Sequence, residues 1–270
     1  MKRVHRAGAD VVVTKSIGIE PREGHPGPVI TASHGGLLNA IGLTNPGIDG
    51  FLEEIDKAQR GGVPVVVSVF GATSDDIASV AETAASLDPI ALELNLSCPH
   101  AEFSQVGHKP DMTMEYVRAV KRRVDCMVLA KLTPNASDVV AVAKGAEEGG
   151  ADAIVAVNTL RGMRIDIQQR RPVLGNKVGG LSGPPIFPVA VRCIYDLYDE
   201  ITVPIIGVGG VASWEDAVEM HLAGASAIQI GTAALGGLDV FERIRRGVDV
   251  YLESHGFSDI TEIIGEAKRS

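Results

Sequence analysis

The sequence has few cysteines, a deficit of basic charge and no paired metal-ligand motif. Its three cysteines, Cys98, Cys126 and Cys193, form no C-x-x-C pair, which argues against an iron–sulfur or zinc site within the chain. The seven histidines follow neither H-x-x-x-H nor H-E-x-x-H, so no metal is expected. A formal net charge of −9 argues against nucleic acid as a partner, because phosphate backbones are bound by basic patches.

Long apolar runs are also missing. No stretch approaches the roughly 18 apolar residues that a membrane span needs, and the N-terminus lacks the apolar core of a signal peptide. We therefore expect a cytoplasmic protein with reduced thiols and no membrane contact.

The chain instead carries short β-branched runs that alternate with amphipathic stretches from end to end. A length of 270 residues and 31 glycines suit a single α/β barrel. The strands are predicted at Val11–Thr14, Val63–Val69, Ile90–Asn95, Met127–Leu132, Ala153–Asn158, Val203–Val208 and Ala227–Ile230. Helices are predicted at Lys2–Gly8, Gly47–Arg60, Ser74–Ser86, Thr113–Val124, Ser137–Gly149, Pro185–Tyr198 and Ser213–Ala223, with Ser74 and Ser213 as capping residues.

This alternation predicts a TIM (β/α)₈ barrel in a single domain over residues 1–270. Seven strands are recognisable where the fold needs eight, so the first strand is expected to be missing from the N-terminus. An open doubly wound sheet is the alternative, but it would need a G-x-G-x-x-G turn after Val11–Thr14, and none is present. Two long connections, Ile17–Pro46 and Leu160–Pro184, are expected to be functional loops over the carboxyl ends of the strands.

Polar residues follow several of these strands. The run from Leu92 to Pro99 ends a buried strand on Asn95 and delivers Cys98 into a loop, where a thiol could transfer a proton. The alternative is that Cys98 is a small buried apolar residue. Lys131 closes an apolar strand, and since lysine is rarely buried without a partner, we expect it to face a bound anionic or carbonyl-rich ligand. A paired structural lysine is the alternative.

The last two strands end in glycine-rich turns, Gly207–Gly210 and Gly231–Ala233, each before a helical pattern. Glycines there let backbone N–H groups approach an anion at a helix N-terminus, which is the usual phosphate site of the barrel fold. The turns predict a phosphorylated ligand without identifying it.

Taken together, these segments resemble a known family over essentially the whole chain. The segments are Val13–Ser16, Leu38–Leu43, Asn95–Pro99, Lys131–Asn135, Asn158–Leu160, Gly179–Pro184 and the two glycine turns. They are similar to the class 1, cysteine-dependent dihydroorotate dehydrogenases. Thr159–Arg161 followed by Asp166–Ile167 and Arg170–Pro172 favours subclass 1B.

The resemblance implies an FMN-dependent oxidation of dihydroorotate to orotate in pyrimidine biosynthesis, with Cys98 as the base. It implies substrate contacts by Lys15, Asn39, Ala40, Ile41, Gly42, Leu43, Asn95, Asn158 and Thr159. It implies FMN contacts by Lys15, Ser16, Ser68, Asn95, Lys131, Val157, Gly183, Gly209, Gly210, Gly231 and Thr232. A homodimer that associates with an electron-transfer subunit carrying FAD and a 2Fe–2S cluster is also implied.

The chain departs from the family's pattern at its start, where the resemblance leads one to expect an N-terminal hairpin and a flavin-contacting first strand. Two other functions stay open. One is a pyrimidine reduction like that of dihydropyrimidine dehydrogenase, whose flavin domain shares the Cys98–His100 sequence. The other is a barrel that binds a phosphorylated ligand without redox chemistry. The arginines of the second long connection, Arg161, Arg164, Arg170 and Arg171, form either a solvated face or a docking patch.

Overall fold

The computed structural model describes residues 1–96 and 106–269. The strands in chain order are β1 Val12–Val13, β2 Pro21–Arg22, β3 Ile30–Ser33, β4 Gly36–Asn39, β5 Asn45–Pro46, β6 Val65–Val69, β7 Ala91–Asn95, β8 Met127–Lys131, β9 Ala153–Ala156, β10 Leu160–Met163, β11 Ile165–Asp166, β12 Arg171–Pro172, β13 Val178–Ser182, β14 Ile205–Val208 and β15 Ala227–Gln229.

The helices are α1 Lys2–Arg6, α2 Leu52–Gln59, α3 Ser74–Ala85, α4 Pro110–Lys121, α5 Val139–Glu148, α6 Phe187–Tyr198, α7 Trp214–Ala223 and α8 Val240–His255. Short 3₁₀ helices lie at Val106–His108, Pro184–Ile186, Thr232–Leu235, Ile260–Ile263 and Glu266–Lys268. The predicted strands and helices are confirmed, with ends that differ by a few residues. The sequence patterns set no bounds for α8.

The central sheet is parallel throughout, in the order β1-β6-β7-β8-β9-β14-β15. Helices α3, α4, α5, α6 and α7 each connect one strand of this sheet to the next, as the α/β barrel prediction requires. The sheet has seven strands in the part of the chain that the structure describes, and there β1 and β15 form its two edges. The TIM-barrel prediction is confirmed, and the doubly wound alternative is wrong.

The two faces of this sheet are both apolar near the amino ends of the strands, because alternate residues of a strand point to opposite faces. One face packs under the helices through residues such as Val67, Leu92 and Ile154, all fully buried. The other face forms a separate small cluster of Val66, Ala91, Leu129, Ala153 and Val155. This second cluster fills the barrel interior below the site.

Toward the carboxyl ends of the strands the same interior face becomes polar. Ser68, Glu93, Lys131 and Gln229 continue the parity of the interior residues on β6, β7, β8 and β15. Register places Ser68 opposite Glu93, and Asn95 opposite Lys131. The strand periodicity alone therefore brings a set of polar side chains to one layer of the barrel.

The two long connections contain strands, whereas the sequence predicted irregular loops. β3 and β4 form a hairpin whose turn residues His34 and Gly35 both have positive φ, 41° and 81°, as a two-residue type I′ turn requires. β4 then pairs with β13, and β13 with β10, in an antiparallel sheet of the order β10-β13-β4-β3. The connections leave from the carboxyl ends of β1 and β9, so this outer sheet stands at the end of the barrel where the polar layer lies.

Helix capping follows one prediction and corrects another. Ser213 caps α7 in a capping box with Asp216, as predicted. At α3 the capping residue is Thr73, which accepts from the Asp76 N–H, while Ser74 is the first helical residue. The prediction of Ser74 as the cap is wrong because Thr73 already has the extended backbone, with ψ of 166°, that a cap needs.

Candidate active site

The polar layer is organised around Glu93, in the middle of β7. This side chain is only 2% exposed. Its Oε1 accepts from Lys131 Nζ at 3.3 Å and from Ser68 Oγ at 3.3 Å, and its Oε2 accepts from Gln229 Nε2 at 2.8 Å. Three donors from three other strands thus converge on one buried carboxylate.

Lys131 ends β8 with an ammonium group that has two described acceptors. Besides Glu93, its Nζ donates to Gln229 Oε1 at 3.1 Å, which closes a ring of three side chains. The Lys131 side chain is 18% exposed. Lys131 therefore has an ion-pair partner, as the alternative interpretation required. That partner, Glu93, also binds Ser68, which is a predicted site residue.

A second run of hydrogen bonds leaves the ring through Ser68. Ser68 Oγ lies 2.9 Å from Ser16 Oγ, and Ser16 Oγ accepts from Asn95 Nδ2 at 2.9 Å. Asn95 Oδ1 accepts from Asn158 Nδ2 at 3.3 Å, and Asn158 Oδ1 accepts from the backbone N–H of Thr159 at 2.7 Å. Five residues that the sequence predicted as site residues therefore form one connected network.

The outer sheet brings Asn39 close to this network through Gly180. Asn39 ends β4 and donates through Nδ2 to the carbonyl of Gly180 at 3.3 Å. Gly180 in turn lies against the Thr159 side chain, since a Cβ at Gly180 would be 2.1 Å from Thr159 Oγ1. A glycine at position 180 is therefore what allows Thr159 to approach the sheet.

The remaining predicted substrate residues lie in different surroundings. Ala40 is buried, whereas Ile41 is exposed, and the Ile41 carbonyl accepts from the His25 N–H at 3.0 Å. Gly42 and Leu43 both have positive φ, and a Cβ at Gly42 would meet His25 at 2.7 Å. This loop therefore packs on the segment around His25.

Lys15 and Val157 each follow the end of a strand, but Lys15 is exposed to solvent and Val157 is buried. Lys15 is exposed after β1, and its carbonyl accepts from Thr14 Oγ1 at 2.8 Å. Val157 is 2% exposed, and its backbone N–H donates to the Val208 carbonyl at 2.8 Å.

A cavity of about 230 Å³ opens beside β14 and β15. Three of the predicted phosphate-site residues, Gly210, Gly231 and Thr232, lie among its walls, and so does Gly183, which was predicted to line the flavin. The other wall residues are Gly35, Pro184, Val211, Ala212, Ala233 and Gly236. Thr232 Oγ1 also donates to Ser182 Oγ at 2.9 Å. Gly209 lies behind the cavity, where a Cβ would approach the Ala190 Cβ to 2.9 Å, so this glycine permits close packing on α6.

The chemistry of this cavity fits an anion. A Cβ at Gly231 would meet no other atom within 4 Å, so the turn faces open space. The 3₁₀ helix that begins at Thr232 leaves its first backbone N–H groups without intrahelical acceptors, and such groups bind phosphate. Gly183 and Gly210, with φ of 88° and 85°, adopt backbone conformations that suit glycine.

The predicted base, Cys98, lies outside the described residues. The other two cysteines are described: Cys193 is buried in α6 and Cys126 is half-buried before β8. Burial raises the pKa of both thiols, which makes them poor nucleophiles and poor bases at neutral pH.

Sequence reasoning missed Glu93 and Gln229. Glu93 was the one charged residue within the apolar run from Ile90 to Leu96, and alternation places it on the same face as Asn95. A buried carboxylate needs a partner for the same reason that a buried lysine does. Glu93, two residues before the predicted site residue Asn95, could have been paired with Lys131 on that ground. Gln229 carried a weaker signal, as a single amide between isoleucines.

Comparison with known proteins is consistent with this geometry. The family model described as dihydroorotate dehydrogenase matches residues 1–252. The chain belongs to the dihydroorotate dehydrogenase family. The family membership predicted from the sequence is confirmed.

Curated relatives are similar along nearly the whole chain. The chain is 50% identical over 261 residues to the protein of Methanosarcina acetivorans named dihydroorotate dehydrogenase B (NAD(+)), catalytic subunit, covering 96% of this chain and 84% of that one. It is 49% identical to the protein of the same name from Pyrococcus abyssi, over 99% of this chain and 90% of the other. The letter B in that name corresponds to subclass 1B, which the sequence of the connection Leu160–Pro184 favoured.

A solved structure supports the fold alone. The crystal structure of DHODH from Eimeria tenella in complex with ferulenol superposes with a TM-score of 0.85 at 22% identity, covering 100% of this chain and 82% of the other. In the described part of this chain, no helix is both long enough and apolar enough to cross a bilayer. A search of the same residues finds no group of three or more His, Cys, Asp or Glu side chains placed to hold a metal ion.

Proposed function

We propose that the protein binds FMN and oxidises (S)-dihydroorotate to orotate, a step of pyrimidine biosynthesis, in the cytoplasm and within one barrel domain over residues 1–270. The observation that carries this proposal is the network that joins Lys131, Glu93, Ser68, Asn95 and Asn158 beside a glycine-lined cavity. A charged pair and oriented amides suit a polar heterocycle, and the cavity suits a phosphate.

Two parts of the site would hold FMN. The phosphate group would lie in the cavity, held by backbone N–H groups of Gly210, Gly231 and Thr232, with Gly209 shaping the turn behind it and Gly183 beside the flavin. Its ring system would lie over the polar layer, against Lys15, Ser16, Ser68, Asn95, Lys131 and Val157. When bound, FMN supplies a two-electron acceptor for a hydride from the substrate. Lys131 would place a positive charge where negative charge develops on reduction.

The substrate would be held by side chains whose donors and acceptors match those of a pyrimidine ring. Asn95 and Asn158 each carry both an amide donor and an amide acceptor. Asn39 and Thr159 meet at Gly180 and would extend this surface, together with Lys15. The backbone of Ala40, Ile41, Gly42 and Leu43 would complete the binding site. These roles follow from family motifs that match residue by residue.

Cys98 would act as the base that removes the C5 proton of dihydroorotate. It follows Asn95, the last residue of β7, by three positions in the sequence. A thiolate there can accept a proton from carbon while the hydride leaves the adjacent carbon.

The partner is proposed on the same basis. A chain with no second nucleotide-binding fingerprint and no clustered cysteines offers no route for electrons from FMN to NAD⁺. We place this chain in a homodimer that associates with an electron-transfer subunit carrying FAD and a 2Fe–2S cluster. The relatives' name, catalytic subunit, supports the existence of a partner.

The function is tested by adding FMN to the purified protein. We expect a yellow protein that absorbs near 450 nm, as bound flavin does in general, and that is bleached anaerobically by dihydroorotate.

The cavity is tested by Gly231→Ala and Gly231→Val, whose side chains would project into open space. We expect FMN affinity to fall with side-chain size while the melting temperature of the apoprotein stays constant. A bound flavin that dihydroorotate does not bleach would contradict the proposed reaction.

A further inference from the structure

The following inference rests on the proposed function and concerns a residue that the family motifs do not include. We propose that Glu93 is the positioning residue of the site, which orients Lys131 on the flavin side and the amides of Asn95 and Asn158 on the substrate side. Both halves of the site hydrogen-bond, directly or through serines, to this one carboxylate.

The direction of each hydrogen bond follows from what the groups can donate. An ionised carboxylate only accepts, so Ser68 uses its single hydroxyl hydrogen to donate to Glu93. In the hydrogen bond between the two serines, the Ser16 hydroxyl must then be the donor and Ser68 Oγ the acceptor. With its hydrogen used in this way, Ser16 has only lone pairs left for Asn95, which must present Nδ2.

The same logic continues to the second asparagine. Because Asn95 turns its Nδ2 toward Ser16, its Oδ1 faces Asn158 and accepts from Asn158 Nδ2. Asn158 Oδ1 is then directed to the Thr159 N–H. Every donor in the chain therefore points toward Glu93. The buried charge at one end of the chain and the Thr159 backbone N–H at the other therefore favour the same orientation of both amides. Such oriented amides are what distinguishes one heterocycle edge from another.

An amide in place of Glu93 cannot satisfy the same partners. Ser68, Lys131 and the Gln229 Nε2 all donate to the carboxylate. A glutamine at position 93 would oppose its own NH₂ group to at least one of these donors. Turning the Gln229 amide relieves that conflict only by pointing its NH₂ at the Lys131 ammonium, which now donates to it at 3.1 Å. The ring is complete only with a carboxylate.

The experiment compares Glu93→Gln with the parent protein, both loaded with FMN. We measure the FMN dissociation constant on the apoprotein, the orotate dissociation constant from the flavin spectrum and the flavin midpoint potential. For Glu93→Gln we expect orotate to bind at least tenfold more weakly, because the hydrogen-bond chain from Ser68 to Asn95 loses the charged acceptor at its end. The midpoint potential should become more positive, because a negative charge beside Lys131 has been removed.

Two further variants separate the two halves of the site. Glu93→Asp keeps the charge and should keep the midpoint potential near that of the parent, with intermediate orotate affinity. Ser68→Ala interrupts the chain to Asn95 without removing a partner of Lys131. It should weaken orotate binding several-fold and change the potential less than Glu93→Gln does. These two variants decide the question if Glu93→Gln fails to fold.

A matched control breaks an ion pair outside the site. Lys121 Nζ lies 2.9 Å from Asp152 Oδ2 at the amino end of β9, so Asp152→Asn should lower the melting temperature and leave orotate affinity and potential unchanged. If Glu93→Gln behaves like this control, Glu93 is only structural and the inference is wrong. A parent protein that binds neither FMN nor orotate would contradict the proposed function instead.

Discussion

Lys131 shows how one residue can satisfy two interpretations of a sequence. Its ammonium is paired with Glu93 and Gln229, yet the pair lies in the polar layer beside the cavity. Removing one partner of a buried pair typically costs about 3–5 kcal/mol, because the other charge stays buried without compensation. Structural cost and function are therefore coupled at this position, and measurements on variants need a stability readout beside the functional one.

Cys98 gives the sharpest prediction at the residue scale. A general base typically contributes about 10²- to 10⁴-fold to a rate, so Cys98→Ala should retain FMN and slow flavin reduction by dihydroorotate about 10²-fold or more. Since an unperturbed thiol has a pKa of about 8.5, the parent rate should rise with pH until the thiolate has formed. Stopped-flow reduction across pH checks both statements. Cys193→Ala, in buried α6, is the control for loss of a thiol. Equal rates in the parent and Cys98→Ala would contradict the assignment.

At the scale of elements, helix α7 has clear start and stop signals and carries a buried histidine near its C-terminus. Ser213 and Asp216 form the capping box at its start, and Gly224, with φ of 126°, ends it. Near that end His221 is buried and its Nδ1 lies 2.7 Å from the Ala225 carbonyl. Desolvation by burial lowers the pKa of His221 below its usual value. This helix therefore carries a titratable group whose protonation opposes folding.

The sign of the pH effect follows from that lowered pKa. Below about pH 6.5 the unfolded chain binds a proton at His221 that the folded protein does not, so the free energy of unfolding should fall as pH decreases from 7.5 to 5.5. The slope from this one group is at most about 1.4 kcal/mol per pH unit. His221→Gln should flatten this dependence in denaturant titrations, and His255→Gln is the control at an exposed histidine. An unchanged slope in His221→Gln would contradict the prediction.

At the scale of the whole molecule, the barrel separates two tasks along its interior. Apolar residues such as Val66 and Leu129 fill the end near the amino termini of the strands, and the polar layer lies at the opposite end. The outer sheet from the two long connections stands beside the polar layer and contributes Asn39 and Gly180. Stability and chemistry therefore depend on different layers of the same strands.

Electron transfer beyond FMN is predicted at this scale. The isolated, FMN-loaded chain should oxidise dihydroorotate with an artificial acceptor dye and should not reduce NAD⁺. Adding the proposed electron-transfer subunit should restore NAD⁺ reduction, because that subunit would supply the FAD and the 2Fe–2S cluster. Steady-state assays with dye, NAD⁺ and fumarate distinguish the outcomes. Robust NAD⁺ reduction by the single chain would contradict the proposed partner, and activity with fumarate would indicate the other class 1 branch.

The order of strands and helices could be predicted from the sequence because it depends on local periodicity. Val65–Val69 and Ala91–Asn95 are buried strands by composition, and Ser213 with Asp216 begins a helix through contacts three residues apart. The glycine turns at Gly210 and Gly231 could be placed at the carboxyl ends of β14 and β15 for the same reason. Local chemistry determined the fold class and the positions of the glycines that line the cavity.

The tertiary structure alone decided how the polar layer is connected. Glu93 meets Lys131 across 38 positions and Gln229 across 136, and Asn39 meets Gly180 across 141. Such pairs depend on strand order and on the register between strands, which no local pattern specifies. The pairing of β4 with β13 was missed for the same reason, since β4 buries only Leu38 and β13 has no fully buried residue that would mark it within the sequence. Sequence determined which groups lie at the strand ends, and the order and register of the strands in the sheet decided which of them share a hydrogen bond.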